Sequence, residues 1–585
     1  MKCTISSLLR EIFRYKRLVF LGQLIAIVTT VLITIVPLFI PFLVDELLLG
    51  KDGNLTKILA YIFGTLEIYW YVLIVLIAIL VLRLLATLLG ILQTKIFVTI
   101  AKKITFALRL NLLNHLQNVS LKEYEGFSVG SMTSKLVTDI ETLDGFIGTT
   151  VSKLIIAFLT LLFSSIILMV IHWQLAIFIL LTNPLVVYFT AKLSRKIGIL
   201  KKEENRAVGE FQGTLSDTLE LFHQIKATNK ERYFFDIVRT KTKELKDYAI
   251  AFGYKSDVAM KWSFLLFLSG YEVFRAVSIL AVAYSDLSVG LMFAVFSYLW
   301  VMVGPTQDII NFQYTLATAK SACARIDEIY ALEQEATIAN PKNPFLGKKN
   351  VSIKIQNLFF SYNGTQQILK DISLEIKPGE KVAIVGSSGS GKSTLANIIV
   401  GFYPVKEGSI SYDGVLAKDT NLSLVRENIH LILQQPKLFN DTIRFNLTLG
   451  AFCSEDQIRK AIEIAQLDEV VAQLKDGLDT IVGRDGIKLS GGQRQRIAIA
   501  RMLLSNPKVV IFDESTSALD THTEWRLFGA LKEFLDSKTV IIIAHRLSTI
   551  KNVDKIYVLE DGFLVDSGTP NELLAKESSY LATMQ

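Results

Sequence analysis

Cysteine is scarce: 585 residues hold only Cys3, Cys323 and Cys453. Their wide spacing forms no metal-ligand pattern and no disulfide framework, so neither a zinc module nor a bridged scaffold is expected, and the thiols should be free. Charge is thin as well. Only 20% of residues are Asp, Glu, Lys or Arg, against 51% hydrophobic, and the mean hydropathy is +0.40. A soluble protein of this length would not be so apolar. The net charge of +7 reads at first as a nucleic-acid signal. Yet the lysines and arginines gather near the ends of apolar runs, where the positive-inside rule places them, and no nucleic-acid partner is expected.

The length exceeds what one domain usually holds, and the apolar residues are unevenly spread. The N-terminal half carries long Leu, Ile, Val and Phe runs, while the remainder reads as an ordinary α/β domain. A bilayer core takes about 20 mostly apolar helical residues. Six stretches qualify, at Leu18–Val44, Ile68–Leu92, Val151–Ile171, Gln174–Ala191, Trp262–Tyr284 and Val289–Val303. The first follows Lys2, Arg10, Arg14, Lys16 and Arg17, as a secretory signal would, but it is too long and no small-residue cleavage site ends it. The segment before it, with Leu8, Leu9, Ile12 and Phe13 among basic residues, suits a helix lying on the membrane surface.

Charge sets the orientation. Lys95, Lys102, Lys103, Arg109, Lys122 and Lys135 lie between the second and third spans, and Arg195, Lys196, Lys201, Lys202, Arg206, Lys226 and Lys230 between the fourth and fifth. The connection Asp45–Glu67 has only Lys51 and Lys57 against four acids, and His172–Trp173 and Ser285–Ser288 leave room for a tight turn alone. Both termini and both long basic connections are therefore expected in the cytoplasm of a plasma (inner) membrane protein. Those connections, Thr94–Asp144 and Lys192–Met260, are poor in Pro and Gly and keep helical periodicity, so the spans should continue as helices far beyond the bilayer. Within the fifth span, Glu272 and Arg275 stand three residues apart on one helical face. Charges at bilayer depth cost about 2.5 kcal/mol or more each and usually face a bundle interior or a water-filled cavity. They either pair to hold the bundle together or line a substrate path, with Arg83 of the second span a further candidate for that path.

The membrane domain should end near Leu332. A linker, 333–350, carries Asn340, Pro341, Pro344 and Gly347, and a domain of alternating strands and helices spans 351–585. Its decisive motif is Gly386, Ser387, Ser388, Gly389, Ser390, Gly391, Lys392 and Ser393, which fits GxxxxGK[ST]. A buried-strand run, Lys381–Val385, precedes it, and a helix opens at Thr394. Glycines let backbone N–H groups turn toward phosphates at a helix N-terminus. Lys392 is placed to reach the β/γ-phosphates of ATP and Ser393 to ligate Mg²⁺. A second run, Val509–Phe512, ends in Asp513 and Glu514. A buried parallel strand delivers both acids beside the phosphates, Asp513 for the Mg²⁺ shell and Glu514 for orienting the attacking water.

Between these elements lies Leu489, Ser490, Gly491, Gly492 and Gln493. This stretch resembles the signature of the ATP-binding-cassette (ABC) family, and six spans followed by one cassette resemble its half-size exporters. Gly130, Ser131 and Met132 through Asp139 and Ile140 are similar to the family's first cytoplasmic loop. The resemblance implies a membrane all-α domain fused to an α/β P-loop ATPase. It further implies adenine stacking on Tyr362, a glutamine at Gln434 sensing Mg²⁺ and water, an interface loop Ser517–Asp520 and a γ-phosphate histidine at His545. ATP would be held between two cassettes, the partner presenting Ser490 and Gly492, so a homodimer is implied. One departure stands before the signature: Gly483, Arg484, Asp485 and Gly486 replace the family's Gly-Glu-Arg-Gly. Six spans exclude the soluble cassette ATPases of translation and DNA repair. A nucleotide-gated channel and an importer of exporter architecture remain as alternatives to export or flipping of a lipid, glycolipid, peptide or drug.

Overall fold

The computed structural model describes residues 3–64, 66–126, 129–362, 364, 366–483, 489–514, 520–544, 550 and 552–576. The chain divides into two compact units, Met1–Leu116 with Ser128–Ala331, and Gln117–Phe127 with Leu332–Gln585.

The first unit is helical. α1 (Ile5–Arg14) begins with a reciprocal cap in which the Thr4 hydroxyl accepts from Ser7 N–H. It buries Leu8 and Ile12 and exposes Leu9 and Phe13, the two-sided pattern of a surface-lying helix. Long helices follow: α2 (Lys16–Leu48), α3 (Ile68–Gln117), α4 (Met132–Ile171), α5 (Trp173–Glu220), α6 (Glu231–Tyr284) and α7 (Val289–Tyr330). Five of these are long and apolar enough to cross a membrane among the described residues. The expected span Gln174–Ala191 lies on α5, where several side chains fall outside the description. At about 1.5 Å per residue the 50 residues of α3 extend about 75 Å, far more than a bilayer needs. The basic connections therefore are helical extensions of the spans.

α2 is irregular. It is α-helical to Ile35, passes through a 3₁₀ turn at Val36–Leu38, and widens to a π-helix over Phe42–Leu48. Pro37 and Pro41 bring no N–H to the ladder, which forces the change. The Tyr298 hydroxyl of α7 donates to the Thr34 carbonyl at 2.5 Å, satisfying a buried acceptor where the ladder is disturbed. Beyond it, buried Asp45 accepts from Ser288 Oγ (2.5 Å) and Gly290 N–H (3.1 Å). Gly290 has no room for a side chain, since a Cβ would sit 2.4 Å from the Asp45 carboxylate. On the extensions, Arg325 binds Asp139 through Nε at 2.9 Å and Lys135 binds Glu328 at 2.6 Å, tying α7 to α4. The Cys3 thiol donates to the Cys323 sulfur at 3.3 Å, and the Cys3 N–H bonds the Asp327 carboxylate.

The second unit holds two sheets. An antiparallel sheet orders β2 (Leu369–Ile376), β1 (Ile353–Phe360), β4 (Glu407–Tyr412) and β5 (Val415–Leu416). The larger sheet orders β10 (Phe563–Gly568), β9 (Lys555–Glu560), β3 (Lys381–Gly386), β8 (Thr539–Ile543), β7 (Val509–Asp513) and β6 (Ile429–Ile432). All its neighbours pair in parallel except β10 with β9. Alternate residues feed two cores. Ala383, Val385, Val510, Phe512 and Ile542 enter one, and Val382, Ile384, Val509, Ile511 and Ile543 the other. Burial on both faces is why these strands read as unbroken apolar runs. The segment Gln117–Phe127 belongs to this unit: Val119 bridges Gln334, and the Tyr403 hydroxyl donates to Glu125 at 2.7 Å.

Candidate functional site

The loop after β3 is shaped by close approach. A Cβ on Gly386 would lie 1.9 Å from the Leu559 carbonyl oxygen on neighbouring β9, so only glycine fits. Gly391, at φ 100°, is the N-cap of α8 (Lys392–Ile399). Lys392 is buried, and its Nζ donates to the loop carbonyls of Gly386 (3.0 Å) and Ser387 (2.7 Å). Burial lowers its pKa, opposed by the nearby Glu514 and Asp513 carboxylates. A cation wrapped by a loop at a helix N-terminus is a built anion receptor.

β3 and β7 are separated by β8, and both end at this loop. Ser393 Oγ, in the first turn of α8, donates to Asp513 Oδ1 at 3.0 Å. The next residue, Glu514, has φ 47° and accepts from Gln434 Nε2 at 2.7 Å. Lys392, Ser393, Gln434, Asp513 and Glu514 thus meet at the carboxyl end of the sheet. A hydroxyl beside a carboxylate is a donor set that suits Mg²⁺, a hard cation taking oxygen ligands. Tyr362 packs edge-on against Tyr403 (ring centroids 5.1 Å apart), and its hydroxyl lies 3.1 Å from Thr394 Oγ1.

Residues 369–517 match the ABC transporter family, and residues 19–306 match the ABC transporter transmembrane region. An uncharacterized ABC transporter ATP-binding protein of Bacillus subtilis, YwjA, is 31% identical over 98% of both chains. An ATP-dependent lipid A-core flippase of Legionella pneumophila is 31% identical over 82% of each. A solved bacterial Atm1-family ABC exporter with ATP bound superposes with a TM-score of 0.80, at 26% identity, covering 99% of this chain and 98% of the other. The chain belongs to the ABC transporter family. It is a half-size exporter, an integral membrane protein whose nucleotide-binding ATPase domain couples ATP hydrolysis to transport.

In this exporter the signature is a helix start. Ser490 caps α9 (Gly491–Ser505), its hydroxyl accepting from Gln493 N–H (3.2 Å) while Gln493 Oε1 accepts from Ser490 N–H (2.8 Å). Asp520 likewise caps α10 (Thr521–Leu535) through Thr523, and those hydrogen bonds lower its pKa. Gly492 lies in the first turn of α9. His545, the loop residues Ser517, Ala518 and Leu519, and the Arg484–Asp485 departure lie outside the described residues.

Two neighbours escaped the sequence reading. Buried Gln495, on α9, donates to the Gln434 carbonyl at 3.2 Å and so links the signature helix to the glutamine loop. Tyr403 stands between Tyr362 and Glu125, and burial, then the Glu125 carboxylate, raises its pKa. Neither belongs to a contiguous motif. In the membrane unit Glu272 and Arg275 pair at 2.5 Å on half-exposed side chains. Arg275 lines a cavity whose described lining includes neither Glu272 nor Arg83, and Arg83 is exposed on α3.

Proposed function

We propose that this exporter moves an amphipathic substrate out of the cytoplasm or inner leaflet, powered by ATP hydrolysis between the cassettes of a homodimer. The observation that carries the reading is the convergence of Lys392, Ser393–Asp513 and Gln434–Glu514 at the end of the parallel sheet. The loop Gly386–Gly391 and Lys392 hold the β- and γ-phosphates, Thr394 closes the helix start, and Tyr362 stacks on adenine. Ser393, Asp513 and Gln434 would hold Mg²⁺, which would supply positive charge to the phosphate oxygens. Glu514 orients the attacking water and accepts its proton, and His545 contacts the γ-phosphate. Ser490, Gly491, Gly492 and Gln493 serve the partner's nucleotide, with Asp520 at the interface.

The membrane reading sets both termini and the ATPase domain in the cytoplasm of a plasma (inner) membrane. Cassette closure on ATP and release after hydrolysis bias the helices between inward and outward states. The relatives named as flippases favour a lipid-like cargo for this chain as well. The test is reconstitution of the chain alone into lipid vesicles with fluorescent lipid, peptide and drug amphipaths. ATP-dependent movement of at least one of them is expected. ATPase activity with ion currents and no such movement would make the protein a gated channel instead.

A further inference from the structure

The first unit holds a cavity of about 530 Å³ lined by Ile40 and Val44 of α2, Tyr271 and Arg275 of α6, and Phe293, Phe296, Ser297 and Trp300 of α7. Such a volume falls within the about 300–1,000 Å³ of small-molecule sites. Its walls have a chemical bias. Tyr271 packs against Phe296 and Trp300, with ring centroids 6.1 and 5.8 Å apart, and Phe293 meets Phe296 edge-on at 6.1 Å. These rings and the two aliphatic side chains make up the apolar part of the lining. Among the described residues, the polar lining consists of a guanidinium, two hydroxyls and an indole N–H, with no carboxylate.

Position matters too. Arg275 precedes the end of α6 by nine residues, about 13 Å at helical rise, and Phe293 follows the start of α7 by four. The cavity is therefore near the short turn Ser285–Ser288, within the apolar length of both helices. Its α2 wall is the stretch where Pro37 and Pro41 have broken the regular ladder.

We infer that this cavity binds an anionic amphipath, a molecule with an acyl chain and a phosphate or carboxylate head. The inference rests on the exporter reading and names its substrate class. The tail lies against Phe293, Phe296 and Trp300, and the anionic head exchanges for Glu272 on Arg275. An aromatic wall alone would also attract a cation through the ring faces. Arg275 in the same lining opposes that by direct repulsion, within a medium where charges are poorly screened. The Arg275–Glu272 pair gives the site an internal competitor: Glu272 occupies the guanidinium from outside the cavity until a better-placed anion displaces it.

This competition fixes opposite signs for two substitutions. Glu272→Gln frees the guanidinium and tightens anion binding, whereas Arg275→Gln removes the receptor. Both break the same ion pair, so a loss of fold or of bundle packing would move them in the same direction. The experiment places the full-length protein in phosphatidylcholine nanodiscs and titrates dodecyl phosphate, dodecanoate and dodecyltrimethylammonium. Trp300 emission is read by difference from Trp300→Phe. Saturable shifts are expected with both anions and none with the ammonium. Glu272→Gln should tighten binding about threefold or more, Arg275→Lys should retain most of it, and Arg275→Gln should weaken it at least tenfold.

Equal binding of the ammonium, or weakening by both Gln variants, overturns the inference. A shift in dimer dissociation by Arg275→Gln without any change in binding also overturns it, and assigns the cavity to a second copy of the chain. Vesicle transport separates the two readings. Binding with these signs but no ATP-driven movement of any amphipath would leave the site standing and sink the reading of an amphipath as the cargo. Transport without these signs would do the reverse.

Discussion

Glu514 adopts φ 47°, a region that costs a non-glycine residue about 1–3 kcal/mol, at the first position after β7. The strain turns its carboxylate toward Gln434 while Asp513, one residue earlier, faces Ser393. Two adjacent acids are thereby aimed at different partners. Glu514→Gln keeps the shape and the bond to Gln434 but removes the carboxylate proposed above as the base. ATP binding should persist, measured with a fluorescent analogue, while turnover falls at least about a hundredfold. Wild-type-like hydrolysis would remove Glu514 from the chemistry.

His430 of β6 offers a pH-dependent residue away from the site. Burial, with a smaller contribution from Arg501, pushes its pKa down to about 4. Its Nδ1 lies 3.1 Å from Ser505 Oγ. The folded value lies below the ordinary 6.5, so the unfolded chain binds the proton first as pH falls. The stability from this group is complete above about 6.5 and is lost as pH drops toward 4. Its ring is only partly shielded, so the effect at pH 5 should be about 1 kcal/mol, or about 2–4 °C in the melting temperature of the ATPase domain. His430→Gln should flatten that part of the melting curve against pH; an unchanged slope would place the proton uptake elsewhere.

Among elements, β3 and its loop carry the sharpest constraint. Gly386→Ala would drive a methyl into the Leu559 carbonyl oxygen, backbone that β9 holds fixed. Loss of nucleotide binding is expected, with the sheet's circular dichroism retained; normal ATP affinity would mean that the loop can move aside. The elements of this sheet were legible because the pattern was doubly determined, apolar runs for strands buried on both faces and turn glycines at their ends. The long helices were legible for a similar reason, since Thr94–Asp144 and Lys192–Met260 offer few breakers. The π-helical end of α2 was not. Pro37 and Pro41 signal a break but not its form, which depends on Tyr298 and Ser288 arriving from 250 or so residues away. Gln495 and Tyr403 were invisible for the same reason, being recruited by packing across the fold rather than by neighbours in sequence. Nor could periodicity show that Gln117–Phe127 would cluster with the ATPase domain: the segment is too short for a pattern, and a bridge to Gln334 decides its place.

The whole molecule raises the question of how many chains it takes to turn over ATP. One chain supplies Lys392, Asp513 and Glu514, and the helix start at Ser490 is capped and intact. Both halves of the proposed interface are thus encoded in one sequence. Purified without any partner, the chain should sediment as a dimer and hydrolyse ATP. Inactivity relieved only by a second, different subunit would refute the homodimer.

The sulfur pair at the start of the chain has a consequence for anyone handling the protein. Cys3 donates to the Cys323 sulfur, which raises the pKa of Cys3 and lowers that of Cys323, so Cys323 is the first to become a nucleophile. The 3.3 Å between them must shrink to about 2.05 Å for a bond to form. Copper–phenanthroline, removing two electrons while two protons leave to solvent, should close a covalent ring spanning 320 positions of the sequence. A denatured chain tied into such a loop is more compact, and on a non-reducing gel it should run ahead of the reduced form. Dithiothreitol or Cys323→Ser should abolish the faster band, and the split should grow as the pH of oxidation is raised. A sample exposed to oxidant should therefore be two species under one apparent purity, distinguishable only while the thiol is withheld from the loading buffer.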